Sequence, residues 1–271
     1  MAHSTPFIDP ARPRSRIKPF KAWKHMKKLL ADKDDTKQAF QVIAALNGNS
    51  TLRSFQRFMA SKNGPALLAR RADLPALLDD RAKLKDLPKD SVGHAYVTFM
   101  EREGLSVSGL IAESQNSRGS IEEFDDDLLW YTNRQRDTHD LYHVLSGYGR
   151  DLLGENALLA YTHSQNGGMG ANFIVFLSSK KMAKLAPSEA QINDVIAEAR
   201  RNGKVARRII EEDIEALLVE PLKAARERLN IEEPVLYKRA LQIFAEYDVD
   251  TELAATGVAS GTGLELSDPG V

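Results

Sequence analysis

The chain of 271 residues contains no cysteine. That excludes disulfides, thiolate zinc sites, iron–sulfur clusters and cysteine nucleophiles, so any bound metal must take nitrogen and oxygen ligands. An excess of one charge is missing as well. The 37 basic and 38 acidic side chains leave a formal net charge of −1, which argues against general nucleic-acid binding. No apolar run approaches the ~20 residues of a transmembrane helix; the longest, Ala171–Leu177, is interrupted by Asn172. The N-terminus has no signal-peptide core. Strand-like alternation and internal repeats are also absent, whereas helical periodicity runs along most of the chain. The expected fold is therefore all-α, a single-domain multi-helix bundle.

Chemistry concentrates between Thr138 and Asn156, in the run THDLYHVLSGYGRDLLGEN. His139 and His143 are four residues apart, so on a helix they share one face about one turn apart. Asp140 sits one step round from His139. Glu155 follows a break at Gly147-Tyr148-Gly149, on what reads as a second helix. Two imidazoles and two carboxylates on adjoining helices fit the first shell of a divalent ion, and two neutral histidines with two anions balance its charge. His139, Asp140, His143 and Glu155 are thus the candidate ligands. The ligand chemistry favours zinc or iron, with manganese and cobalt open. A bare H-x-x-x-H is weak, because many such pairs are plain surface or core residues. Arg136 precedes Asp140 by four residues and admits three roles: a partner holding the carboxylate, an anion-binding group beside the metal, or an exposed salt bridge. His163, two turns beyond Glu155, is a candidate fifth ligand or proton shuttle, and Asp151 a substitute for Glu155.

Before this region lies a basic arm. Arg12, Arg14, Arg16, Lys18, Lys21, Lys24, Lys27 and Lys28 face a single Asp9, and Pro6, Pro10, Pro13 and Pro19 spoil an amphipathic leader helix. Such an arm suits an anionic membrane surface, each Lys or Arg adding about 1 kcal/mol. The expected location is cytoplasmic, peripheral on the cytoplasmic face of the inner membrane if the source is bacterial. The pattern divides the chain into a flexible arm (1–20), a helical domain (21–247) and a disordered Gly/Ser/Thr-rich tail (248–271).

Helices are predicted over 21–30, 35–46, 51–59, 66–71 and 74–80, and over 92–103 with Ser91 as cap. A long helix from Asp125–Asp127 carries both metal histidines, and a second carries Glu155 to about Gln165. Further helices cover 192–201, 206–229 and 233–247. Residues 105–123 read as polar and irregular, and 172–177 as an apolar stretch.

The pattern H-D-x-x-H, eleven residues, then Glu resembles the signature of the coenzyme Q (ubiquinone) biosynthesis protein 4 family. The turn and helix around Leu87-Pro88 and Ser91–Tyr96, the run Arg134-x-Arg136-Asp137-Thr138-His139-Asp140, and Glu220-Pro221-Leu222 with Arg226 and Leu229-Asn230-Ile231 are similar to that family too. The resemblance covers roughly Val42 to Ile231. The Gly-rich segment 167–172 and Gln135 depart from it. It implies a mostly helical peripheral membrane protein of quinone biosynthesis, with a metal on His139, Asp140, His143 and Glu155 and an isoprenoid tail in an apolar groove. The implied reaction removes the carboxylate of a polyprenylated hydroxybenzoate and hydroxylates that ring carbon. Arg136, His139 and Asp140 would act on the ring, and Leu129, Trp130, Leu159, Met169, Phe173, Ile174 and Phe176 are candidates for the groove wall. The other enzymes of the pathway and a second copy of the chain are the implied protein partners.

Two other readings use the same residues. One is a non-catalytic lipid-binding scaffold with a structural metal. The other is a metal-dependent phosphohydrolase built on the His139-Asp140 doublet, which would need His94 and Asp213 as distant ligands.

Overall fold

The computed structural model describes residues 6–13, 15–31, 35–118 and 124–249. The expected tail from residue 250 onward, and residues 1–5 and 14 of the arm, lie outside them. The described residues form helices and turns with no strand, as the periodicity predicts. In chain order the helices are α1 (Pro19–Ala31), α2 (Thr36–Leu46), α3 (Ser50–Met59), α4 (Gly64–Arg70), α5 (Leu74–Asp79), α6 (Arg81–Lys85), α7 (Val92–Arg102) and α8 (Val107–Arg118). There follow α9 (Asp127–Asp137), α10 (His139–Ser146), α11 (Leu152–Asn166), α12 (Met169–Leu185), α13 (Ile192–Val205), α14 (Ile214–Val219), α15 (Leu222–Arg228) and α16 (Val235–Glu246).

Several boundaries differ from the sequence reading, each for a local reason. Of the segment expected to be irregular, residues 107–118 form α8, which begins at Val107 because the Asp79 carboxylate accepts from the Val107 and Ser108 amides at 2.8 and 2.9 Å; residues 119–123 lie outside the described residues. That cap comes from 28 residues away, beyond local sequence patterns. The apolar stretch 172–177 is the middle of α12. The single helix expected over 206–229 is a 3₁₀ turn at Ile209–Glu211 followed by α14 and α15. Pro221, which has no amide to donate, divides those two helices. Its neighbours instead tie back to the loop before α7, with Val92 N donating to Glu220 O at 2.8 Å and Leu222 N to Asp90 O at 2.7 Å.

The long helix expected to carry both histidines is broken at Thr138, which has φ −91° and ψ 2°. Its fully buried hydroxyl donates to Arg134 O at 2.8 Å, so a new helix starts at His139. Within the expected flexible arm, residues 7–12 touch the start of α9. Arg12 pairs with Asp126 through two bonds of 2.7 and 2.6 Å, Phe7 N donates to Asp127 at 2.6 Å, and Ile8 packs against the core. Asp126 is itself the cap of α9, accepting from Leu129 N at 2.9 Å.

The largest apolar cluster lies where α7, α10, α11, α13, α14 and α16 meet. Two smaller clusters flank it, one around Phe55, Phe58 and Tyr131 and one where α1, α2 and α12 pack together. On α10 the fully buried Leu141 and Leu145 contribute about 2–3 kcal/mol each. They lie two residues, about half a turn, from His139 and His143. Burying them therefore aims the imidazoles at the opposite side.

Candidate metal centre

Helix α10 ends at Gly147, whose φ of +81° is left-handed backbone that only glycine adopts without strain. The reversal brings the Tyr148 carbonyl back to His143, whose Nδ1 lies 3.0 Å from it. That contact assigns the proton to Nδ1 and leaves a lone pair on Nε2, as a metal-ligating imidazole requires. Nε2 is buried and has no hydrogen-bond partner among the described residues. It faces Glu155 Oε1 at 3.5 Å.

Glu155 comes from the first turn of α11, whose cap is Asp151, accepting from Gly154 N at 3.0 Å. Gly154 permits the loop to pass close by, since a Cβ there would lie 2.2 Å from the Gly149 carbonyl oxygen. The other oxygen of Glu155 lies 3.8 Å from His139 Nε2. The ligand atoms of His139, Asp140 and His143 all fall within 4.8 Å of one another. Around one divalent ion, ligand atoms stand about 3–3.5 Å apart at ordinary bond lengths, so these three side chains would have to close in, and Glu155 could join them from α11 through its approach to the two histidines. The Asp140 carboxylate is 6% exposed and accepts no hydrogen bond from the described residues. The buried imidazole nitrogen of His143 has no partner and points into a group that holds the Asp140 carboxylate, an arrangement that is costly without a cation or proton. The donor set fits a divalent ion.

The cluster has a closed side and an open side. Phe99 stacks on His143 at 5.6 Å, and His139 meets His143 edge-on at 5.0 Å. The side chains of His143 and Asp140 are enclosed, whereas those of His139 and Glu155 are 36% and 33% exposed. Burial alone would push the Glu155 pKa up, but His143, His139 and Arg150 outweigh it and hold the carboxyl at about 2. Burial, then the His143 charge, lowers His139. For His143 burial also lowers the pKa, but the neighbouring Glu155 carboxylate more than reverses it.

His139, Asp140 and His143 lie in one cluster, Glu155 approaches its two histidines from α11, and several other candidates do not join them. Arg136 makes no hydrogen bond or ion pair with Asp140. Its Nε and Nη2 pair with Asp137 at 2.8 and 2.7 Å, and its Nη1 donates to Asn133 at 3.2 Å. Asp151 is spent as a helix cap and as acceptor of the Tyr237 hydroxyl. His163 lines a separate cavity. Asp213 is held by both guanidinium nitrogens of Arg70, and neither it nor His94 joins the cluster, so the phosphohydrolase ligand set is not assembled. The residues expected to wall one groove are split: Trp130 packs with Phe58, while Leu159, Phe173 and Ile174 sit in the cluster of α1, α2 and α12. The sequence reading missed Arg150, whose Nε lies 3.5 Å from Glu155 Oε1 on the open side. Its only signal was a cation between the Gly-Tyr-Gly turn and the cap Asp151.

Comparison with known proteins fits this constellation. The chain matches the family model of the coenzyme Q (ubiquinone) biosynthesis protein Coq4 over residues 31–235, a span that contains the whole cluster. The chain belongs to the Coq4 family. Its relatives include the mitochondrial ubiquinone biosynthesis protein COQ4 of Coccidioides immitis, 29% identical over 179 residues, 65% of this chain and 59% of that protein. The mitochondrial COQ4 homolog 1 of Culex quinquefasciatus is 28% identical over 67% of this chain and 62% of its own length. The Bos taurus homolog is 28% identical over 72% of this chain and 71% of its own length. The chain thus spans less than two thirds of the first two. A crystal structure of a Nostoc punctiforme PCC 73102 protein assigned to ubiquinone biosynthesis superposes with a TM-score of 0.59 at 20% identity, covering 80% of this chain and all of that one. That likeness shows a shared fold.

Proposed function

We propose that this Coq4-family protein acts in ubiquinone biosynthesis, replacing the carboxylate of a polyprenylated hydroxybenzoate by a hydroxyl group in a metal-dependent step. One observation carries the reading: the buried, unpartnered Nε2 of His143 faces Glu155 across a cluster whose His139–Glu155 side is open. A structural metal favours a closed shell of four ligands, whereas a catalytic one keeps an accessible position. His139, Asp140, His143 and Glu155 would hold the ion. When bound, it supplies Lewis acidity for an oxygen substituent of the ring.

The rest of the chemistry falls to the chain's own side chains. Arg150, on the open side, is the cation best placed to receive an anionic group of the substrate, while Arg136 is engaged by Asp137. Phe99 and the enclosed side of the cluster keep water from His143. In balance, the ring C–COOH bond breaks and carbon leaves as CO2. Dioxygen provides the new ring hydroxyl, and its second oxygen becomes water with two protons and two electrons from an external donor.

The test is elemental analysis of the purified chain together with turnover of the prenylated substrate under dioxygen and a reductant. The expected result is one divalent ion per chain, most readily zinc or iron, and loss of both metal and CO2 release in Asp140→Asn. If the metal-free variants restore normal quinone levels in a strain lacking the native gene, the scaffold reading replaces the catalytic one. Membrane association at the basic N-terminal helix and contact with other pathway enzymes belong to the same proposal. No described helix is long and apolar enough to cross a membrane.

A further inference from the structure

A second feature lies on the far part of α11, away from the metal cluster. His163, two helical turns beyond Glu155, lines a cavity of about 360 Å³ together with Ser15, Ile17, Asn47–Ser50, Arg53, Gly168, Met169 and Asn172. Its wall contains no carboxylate among the described residues, although the chain carries 38 acidic side chains against 37 basic ones. The side chain of Arg53, exposed on α3, makes no hydrogen bond or ion pair with any described residue. A further cation stands behind the wall, where Arg200 donates to Asn172 Oδ1 at 2.8 Å. The starts of α3 and α12 both open here; neither N-cap residue supplies a side-chain cap, and at α12 the Gly170 amide donates to Asn47 Oδ1 at 3.4 Å. Their amides and dipoles add partial positive charge to that of the arginines. The rim is apolar, since Ile17 and Met169 are both more than half exposed.

We propose that this cavity is a binding site for a phosphate-class anion, with Arg53 as the principal charge contact and Asn172, Asn49 and His163 as polar neighbours. A guanidinium without a protein partner suits a phosphate geometrically, through two parallel hydrogen bonds. The volume accepts a phosphate with several attached atoms, and the apolar rim suits an ester whose organic part continues outward. Two sources share this chemistry: a phospholipid headgroup and a soluble phosphate ester.

The test uses the full chain with inorganic phosphate and, separately, phosphatidylcholine vesicles with or without phosphatidic acid. Arg53→Gln is compared with the wild type and with Lys62→Gln, an exposed cation outside the cavity. Inorganic phosphate is expected to raise the wild-type melting temperature and to bind Arg53→Gln about tenfold more weakly or worse, with Lys62→Gln unchanged. If the phosphatidic-acid-dependent part of vesicle binding also falls in Arg53→Gln and is competed by free phosphate, the source is a headgroup. If phosphate binding alone depends on Arg53, the source is a soluble ester. The proposal is overturned if wild type and Arg53→Gln bind phosphate equally, or if Lys62→Gln loses as much as Arg53→Gln.

Discussion

His143 shows how a single side chain is assigned its role. One ring nitrogen is claimed by the Tyr148 carbonyl, so the other is left to a ligand or to a proton. The competition between those two gives a pH dependence with a definite sign. Glu155, held at about 2, stays ionised throughout the accessible range and contributes none of it. His143 has a raised pKa and His139 a lowered one, so on acidification His143 takes up a proton first and loses the lone pair that a metal needs. Metal affinity should be full above the His143 pKa and fall below it by about tenfold per pH unit for each proton displaced. Metal content after dialysis at pH 8 and pH 5.5 checks this. Equal retention at both would mean that His143 is not a ligand. Arg136 leads to a different expectation. Since it is engaged by the buried Asp137, Arg136→Gln leaves a carboxylate short of its cation. A loss of about 3 kcal/mol and a melting temperature several degrees lower are expected, with metal content preserved. A variant that melts normally but turns over poorly would return Arg136 to the substrate.

At the level of elements, the site depends on how closely the loop after α10 approaches the start of α11. Gly154 makes that approach possible, with no space for a methyl group against the Gly149 carbonyl. Gly154→Ala should therefore displace Glu155 and lower both metal occupancy and stability, while circular dichroism stays helical. Unchanged metal content in this variant would show that Glu155 tolerates the shift. The nearness of His139, Asp140 and His143, and the approach of Glu155 to the two histidines, were legible in the sequence because they depend on local spacing: i, i+4 on one helix, then a glycine-marked turn and a capped helix. The boundaries that were not legible depend on burial or on distant partners. Asp79 starts α8 from another helix, and the Thr138 break follows from a buried hydroxyl bonding to the preceding turn. The split of 206–229 was signalled by Pro221, but the pairing of its neighbours with residues 90–92 has no local trace. Arg150 was overlooked because a lone arginine in a turn looks like any exposed charge until Glu155 is placed beside it.

Over the whole molecule, charge and apolar surface coincide on the N-terminal helix. Phe20 is 91% exposed and Trp23 about half exposed, interleaved with the exposed Lys21, Lys24, Lys27 and Lys28. Trp23 contacts Phe173 of α12 at 6.4 Å, and one turn further the exposed Phe176 carries Lys180 over its ring. An apolar strip bordered by lysines on a helix lying along the surface is what an interfacial anchor needs, and Lys and Arg near an anionic bilayer add about 1 kcal/mol each. Binding to anionic vesicles should therefore be strong at low salt and fall steeply towards 1 M, as the screening length shrinks from about 10 to about 3 Å. Phe20→Ser with Trp23→Ser should weaken it at every salt concentration, because the lost term is apolar. Lys21→Gln with Lys24→Gln should weaken it only at low salt. Deleting residues 1–20 is a poorer probe, because it also removes the Arg12 pair that braces Asp126 at the start of α9, and should lower the melting temperature. Cosedimentation with neutral and anionic vesicles across a salt series separates these contributions. Equal binding to both vesicle types, unaffected by either double variant, would remove α1 from the membrane-facing surface.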